Sequence, residues 1–205
     1  MSEVNELGVL FDCTLSFARH IDLVISKAYS MLGFIMRICT DFNAAAVFIS
    51  LYYAYVRSHL EYAAVVWSPN YEVHINRIES VQKKFCLGNL GYYSIIKFAP
   101  YSFKCILLNI ESLSDRRKNA SILFVFDLLS ARINSPKILS YPRALRNNVF
   151  LRIKPNRTNY SAFEPVKTIP SLFNEVYYLF DFGMSRCMFK RNIRNLALQN
   201  LNELP

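Results

Sequence analysis

The chain has 205 residues, of which 53% are hydrophobic, 15% aromatic and only 19% charged. Such a composition excludes a disordered tail or a low-complexity repeat and leaves enough apolar chain for a core of ordinary domain size. The formal net charge of +9 is uneven: through residue 74 four basic groups, Arg19, Lys27, Arg37 and Arg57, stand against seven acidic ones, a net −3, so the remainder carries +12. That asymmetry suits a polyanionic partner, nucleic acid or an acidic membrane surface.

In chain order, Leu7 to Asp12 (LGVLFD) reads as a short strand, apolar on both faces. Ser16 is a candidate N-cap for a helix whose residues Ile21, Val24, Ile25, Ala28, Leu32, Ile35 and Met36 recur every three or four positions as one apolar stripe. Asp41 or Asn43 recaps the chain, and Ala44 to about Leu60 continues helical with nearly every face apolar, predicting a buried helix antiparallel to the first. The uncharged stretch from Phe42 to Val56 is shorter than the roughly 20 residues that a spanning helix needs.

Trp67-Ser68-Pro69-Asn70 breaks the pattern, and a third helix from near Tyr71 buries Ile75, Ile78, Val81 and Phe85, with Arg77, Gln82, Lys83 and Lys84 directed elsewhere and Gly88 or Gly91 as stop. Pro100 precedes a short helical run, Tyr101 to Leu108, and Ser112 or Ser114 caps a fifth helix that opens with Asp115, Arg116, Arg117 and Lys118. From Asn134 to Pro170 prolines and scattered basic residues predict an extended connector, after which Ser171 to Phe182 and Ser185 to about Leu201 return to helix. The predicted organisation is therefore a strand segment at 1–14, a helical domain at 15–133, a connector at 134–170 and terminal helices at 171–205.

The chemistry is sparse. No phosphate-binding glycine loop, nucleophile elbow or zinc-protease motif occurs, and none of the acidic residues has an acidic neighbour, so paired carboxylates for two-metal chemistry are missing. Cys13, Cys39, Cys86, Cys105 and Cys187 are widely spaced without a C-x-x-C pair. They predict reduced thiols rather than a zinc site or a secreted disulfide framework. The acidic N-terminal stretch lacks a signal-peptide core, which places the chain inside the cell, in nucleus or cytoplasm. The positive signal is basic residues interleaved with aromatics. Lys83-Lys84-Phe85 and Arg116-Arg117-Lys118 are candidate phosphate contacts, with Lys27 and Arg57 as further ones. Tyr52, Tyr53, Tyr55, Tyr62 and Trp67 could stack on bases, although aromatics on a buried helix more often serve packing.

Six blocks taken together resemble a family: LGVLFDCTLSFARHI (7–21), Tyr-Val-Arg-Ser at 55–58 leading into LEYAAVVWSPNY (60–71), IESVQKKF (78–85), SLSDRR (112–117), RTNY (157–160) and DFGMSRCMFKRNI (181–193). They look like the C-terminal part of the reverse transcriptase of non-LTR, jockey-like retrotransposons. The resemblance implies that LGVLFD is a last palm strand and that the helices after it are a thumb, which grips the template-primer duplex behind the active site. It implies, too, that the palm aspartates with their Mg2+, and the fingers, lie outside this chain, which leaves it without catalytic residues, cofactor, metal or small-molecule ligand of its own. Where relatives commonly continue Lys-Lys-Phe with another basic residue, this chain has Cys86-Leu87-Gly88. The expected protein is a mainly α-helical, thumb-like bundle with a residual palm strand and a basic, loop-rich C-terminal segment. Its expected role is sequence-independent binding of an RNA or DNA duplex as a non-catalytic piece of an RNA-directed DNA polymerase. The alternatives are a membrane-associated helical hairpin and a helical protein-interaction module.

Overall fold

The computed structural model describes residues 3–38, 45–90, 100–135, 151, 165–181 and 183–202. It is mainly helical, and the chain divides into two units, 1–117 and 118–205. The division falls between two adjacent basic residues, Arg117 and Lys118, which the sequence reading kept in one helical domain. Most of the expected connector, the expected caps Asp41 and Asn43, Cys39, Gly91 and the RTNY block lie outside the described residues.

The first unit opens with a hairpin of β1 (Val4–Glu6) and β2 (Val9–Phe11), paired antiparallel with Val4 opposite Phe11, Asn5 opposite Leu10 and Glu6 opposite Val9. This corrects the expected single strand over Leu7 to Asp12: Leu7 and Gly8 form a two-residue turn, and β2 finds backbone partners in β1. Both turn residues have positive φ, +49° at Leu7 and +82° at Gly8, the geometry that matches strand twist in tight hairpins. The hairpin is held from two sides. The Leu10 N–H donates to His20 Nδ1 (3.2 Å), and the Tyr62 hydroxyl donates to the Leu7 carbonyl (2.7 Å).

Helix α1 (Ala18–Ile38) buries Ile21, Val24, Ile25, Ala28, Leu32 and Ile35, the stripe expected from spacing except for Met36, which is half-buried. The next helical stretch begins as α2 (Ala45–Leu51), widens to a π-helical segment (Tyr52–Arg57) and closes as α3 (Ser58–Glu61). Its fully buried residues Tyr52, Val56 and Leu60 are spaced by four and share one face of the helical stretch. Ala63, at φ +50°, breaks the helix before α4 (Ala64–Trp67).

Helix α5 (Glu72–Leu90) runs parallel to α1: Asp22 meets Arg77 (2.6 Å), Tyr29 meets Ser80 (2.7 Å), and Met36 lies against Gly88. The long helix between them runs the other way, with Phe48 and Tyr52 stacked on Phe85 and Trp67 against His20. Gly88 does not end α5 as expected. It leaves room for the Met36 methyl, which a Cβ there would strike. Two shorter pieces complete the core: α6 (Tyr101–Leu107) and the start of α7 (Leu113–Leu129), where Ser112 caps the helix by accepting the Asp115 N–H (3.1 Å) while its hydroxyl donates to the Asp115 carboxylate (2.7 Å).

In the second unit α8 (Pro165–Val176) starts inside the span expected to be extended, with Pro170 within the helix, and is followed by a 3₁₀ turn (Tyr177–Leu179) and α9 (Arg186–Asn202). Phe126, Phe173, Phe180 and Phe189 form its aromatic core, with the Phe126 and Phe189 rings stacked at 4.7 Å. The Asn174 amide holds the backbone of Leu151 at both its N–H (3.0 Å) and its carbonyl (2.8 Å).

Candidate nucleic-acid interface

The seven basic residues singled out in the sequence separate into two groups. Lys27, Lys83, Lys84 and Lys118 are exposed, whereas Arg57, Arg116 and Arg117 turn inward. The Arg116 guanidinium is held by both carboxylate oxygens of Glu61 and by Glu111 at 3.2 Å, and the hydrogen bonds to Glu61 raise its pKa. Arg57 lies 3.5 Å over the Tyr53 ring and pairs with Glu61 one turn away (3.7 Å). Arg117 is 4% exposed, and burial lowers its pKa against the opposing pull of Glu79, Glu61 and Asp115. Arg116 is committed to Glu61 and Glu111, Arg57 to Tyr53 and Glu61, and Arg117 is buried, so these three side chains are not presented outward as the phosphate contacts expected of them. A guanidinium already saturated by carboxylate oxygens has little left to offer a phosphate.

Lys83 and Lys84 keep their ammoniums outward, and among the described residues neither takes part in an ion pair. Being adjacent on α5, they leave the helix about 100° apart and rest on different aromatic supports. The Lys83 ammonium lies 5.3 Å from the centre of the Tyr101 ring and that of Lys84 lies 5.3 Å from the centre of the Tyr29 ring. Each tyrosine is itself anchored through its hydroxyl, Tyr29 to Ser80 and Tyr101 to Glu79 (2.9 Å). Tyr29 and Tyr101 escaped the sequence reading, because 55 and 18 residues separate them from the lysines that they support and no local pattern signals the meeting. Lys27 is not brought to this pair. It is two residues from Tyr29, so it leaves another side of α1, where its charge joins burial in lowering the pKa of His20. Of the aromatics considered for stacking, Tyr52 and Trp67 are core, Tyr53 lies under Arg57, and Tyr55 and Tyr62 are exposed.

Beneath the lysines lies a buried polar network centred on Gln82, which is fully buried rather than directed outward as expected. Its amide oxygen accepts from the Tyr52 hydroxyl (2.8 Å), and its nitrogen donates to the Tyr101 hydroxyl (2.9 Å) and the Glu111 carbonyl (3.0 Å). Glu79 accepts from Tyr101 and from the Ser114 N–H (2.7 Å). Burial drives the pKa of both Tyr52 and Tyr101 above the ordinary phenol value, so both hydroxyls keep their protons as donors. The network fixes α5, α6 and the start of α7 under the lysine pair.

Among the described residues no three His, Cys, Asp or Glu side chains converge as metal ligands. No described helix is long and apolar enough to cross a membrane, including the apolar stretch that begins at Ala45. The chain is 24% identical to an uncharacterized protein of Caenorhabditis elegans over 156 residues, which is 75% of this chain and 78% of that protein. No family model and no solved structure matches it.

Proposed function

We propose that this chain binds the phosphate backbone of an RNA or DNA duplex without sequence preference, through Lys83 and Lys84, in the manner of the thumb of the retrotransposon reverse transcriptases that it resembles. In this reading the chain performs no polymerisation itself. The observation that carries it is the pair of outward ammoniums on α5, each poised on an anchored tyrosine ring and neither in an ion pair among the described residues. Phosphate neutralisation releases counterions, so affinity for a mixed-sequence duplex is expected to fall steeply between about 50 and 200 mM salt. K83Q/K84Q is expected to flatten the slope of log affinity against log salt by about 1.8, which is two contacts' worth. An unchanged slope would make the pair a solvated face. Primer extension above a heat-inactivated control would overturn the non-catalytic part.

One observation favours a second reading, as a protein-interaction module. Leu23, Met31, Phe34 and Ile38 share the outward side of α1 and are all exposed. Under that reading the duplex is not bound at any salt concentration.

A further inference from the structure

The last helix of the second unit carries charge of one sign. Between Arg186 and Asn202, α9 holds Arg186, Lys190, Arg191 and Arg194 and neither Asp nor Glu. All four basic side chains are exposed. Arg186 is committed to Asp127 (2.9 Å), whereas Lys190 and Arg191 take part in no ion pair among the described residues. The other side of the helix serves the fold: Phe189, fully buried, stacks on Phe126, and Ile193 is buried one turn further on. The outward charges therefore sit on a helix that the aromatic core holds in place.

Repulsion is built into this face. Lys190 lies four residues from both Arg186 and Arg194, and Arg191 lies three from Arg194, spacings at which side chains are neighbours on a helix and like charges oppose its formation. A helix whose charges served solubility alone would interleave glutamates at these spacings. We infer that the outward face of α9 is a second phosphate-backbone surface, through which the second unit binds a nucleic-acid duplex by Lys190 and Arg191, with Arg194 beside them. The inference rests on the class of partner proposed above, but on residues of the other unit. An arginine fork suits phosphate oxygens, and a lysine adds a mobile point charge. An acidic lipid surface fits the face less well, because a helix that lies in a membrane interface inserts an apolar side. On α9 that side is occupied by Phe126, Phe173 and Phe180 around Phe189, which leaves Met188 as the one large exposed apolar side chain among the described residues of the helix.

The test titrates the full chain against a fluorescent mixed-sequence duplex over a series of salt concentrations. K190Q/R191Q is expected to flatten the slope of log affinity against log salt by about 1.8, two contacts' worth, and K190R/R191K, which keeps both charges, to leave it as in the unsubstituted chain. A slope for K190Q/R191Q equal to that of the unsubstituted chain would overturn the inference. So would an equal flattening in K190R/R191K, or tighter binding of the chain to phosphatidylcholine–phosphatidylserine vesicles than to the duplex. K83Q/K84Q, measured alongside, keeps the two surfaces apart: flattening in K190Q/R191Q alone upholds α9 and removes α5, and flattening in K83Q/K84Q alone does the reverse. Absence of binding at every salt concentration removes both. Circular dichroism shows whether each variant folds, as exposed positions lead one to expect, and if K190Q/R191Q does not, R191Q decides with an expected flattening of about 0.9.

Discussion

Replacing Gln82 by leucine tests the buried network directly. Leucine is close to glutamine in size and well suited to a fully buried helix position, so burial of apolar surface alone would make the change neutral or favourable. Hydrogen bonding gives the opposite sign. The substitution strands the Tyr52 hydroxyl, which is fully buried and donates to Gln82, and removes the bond that Gln82 gives the Glu111 carbonyl, while Tyr101 keeps Glu79. The stranded buried hydroxyl costs about 1–3 kcal/mol and the lost bond to the carbonyl about 1 kcal/mol more, so Q82L is expected to lose about 2–4 kcal/mol, a large part of a typical domain's stability. The assay is urea unfolding followed by circular dichroism, with the slope unchanged and the midpoint lowered. The double variant Q82L/Y52F removes one stranded group and is expected to recover about 1–2 kcal/mol relative to Q82L, although it lacks one more polar atom. A loss below about 0.5 kcal/mol, the range of an ordinary surface substitution, would refute the network as drawn.

Further outcomes follow from the hairpin and its supports. L7N places asparagine at a positive-φ turn position where leucine is strained, and is expected to raise the urea midpoint by the equivalent of up to about 1 kcal/mol. The His20 imidazole accepts the Leu10 N–H at Nδ1, and burial, with Lys27 second, sets its pKa below the ordinary 6.5. The unfolded chain therefore binds the proton first as pH falls, so stability is expected to be full above about pH 6.5 and to decline below it until the depressed folded pKa is passed. In H20L that part of the decline is expected to vanish, and an undiminished slope of midpoint against pH would assign it elsewhere. G88V, which forces Met36 out from between α1 and α5, is expected to cost about 1–3 kcal/mol in the same unfolding assay.

Much of the first unit was legible because its helices are long and one-sided. The stripe on α1 and the set Ile78, Val81 and Phe85 on α5 follow from spacing alone, which is a local property. The hairpin was missed since its turn is Leu-Gly rather than Asn-Gly, and its first strand, Val4–Glu6, is exposed throughout. Gln82, Arg116 and Arg117 were assigned to the surface from residue type. For Gln82 and Arg116 the partners Tyr52 and Glu61 come from another helical stretch and Glu111 from the turn before α7, and a polar residue is buried only when such partners exist. The lysine pair was legible as charge, while its tyrosine supports were not, because they depend on which helices become neighbours.

The widened turn at Tyr52–Arg57 makes the long helix behave as two segments joined out of phase. An α-helix turns about 100° per residue, so a widened turn works like a spacer that lets Phe48 and Tyr52 meet Phe85 while Glu61, further along, meets Arg116. A chain shortened by one residue in this segment could close a regular α-helix, and its backbone bonding would improve. Everything after the deletion would then be rotated, so that either the aromatic stack or the Glu61 carboxylate lost its partner. Length here is as constrained as residue identity: the segment tolerates exchanges of the outward Ala54 or Tyr55 far better than the removal of either.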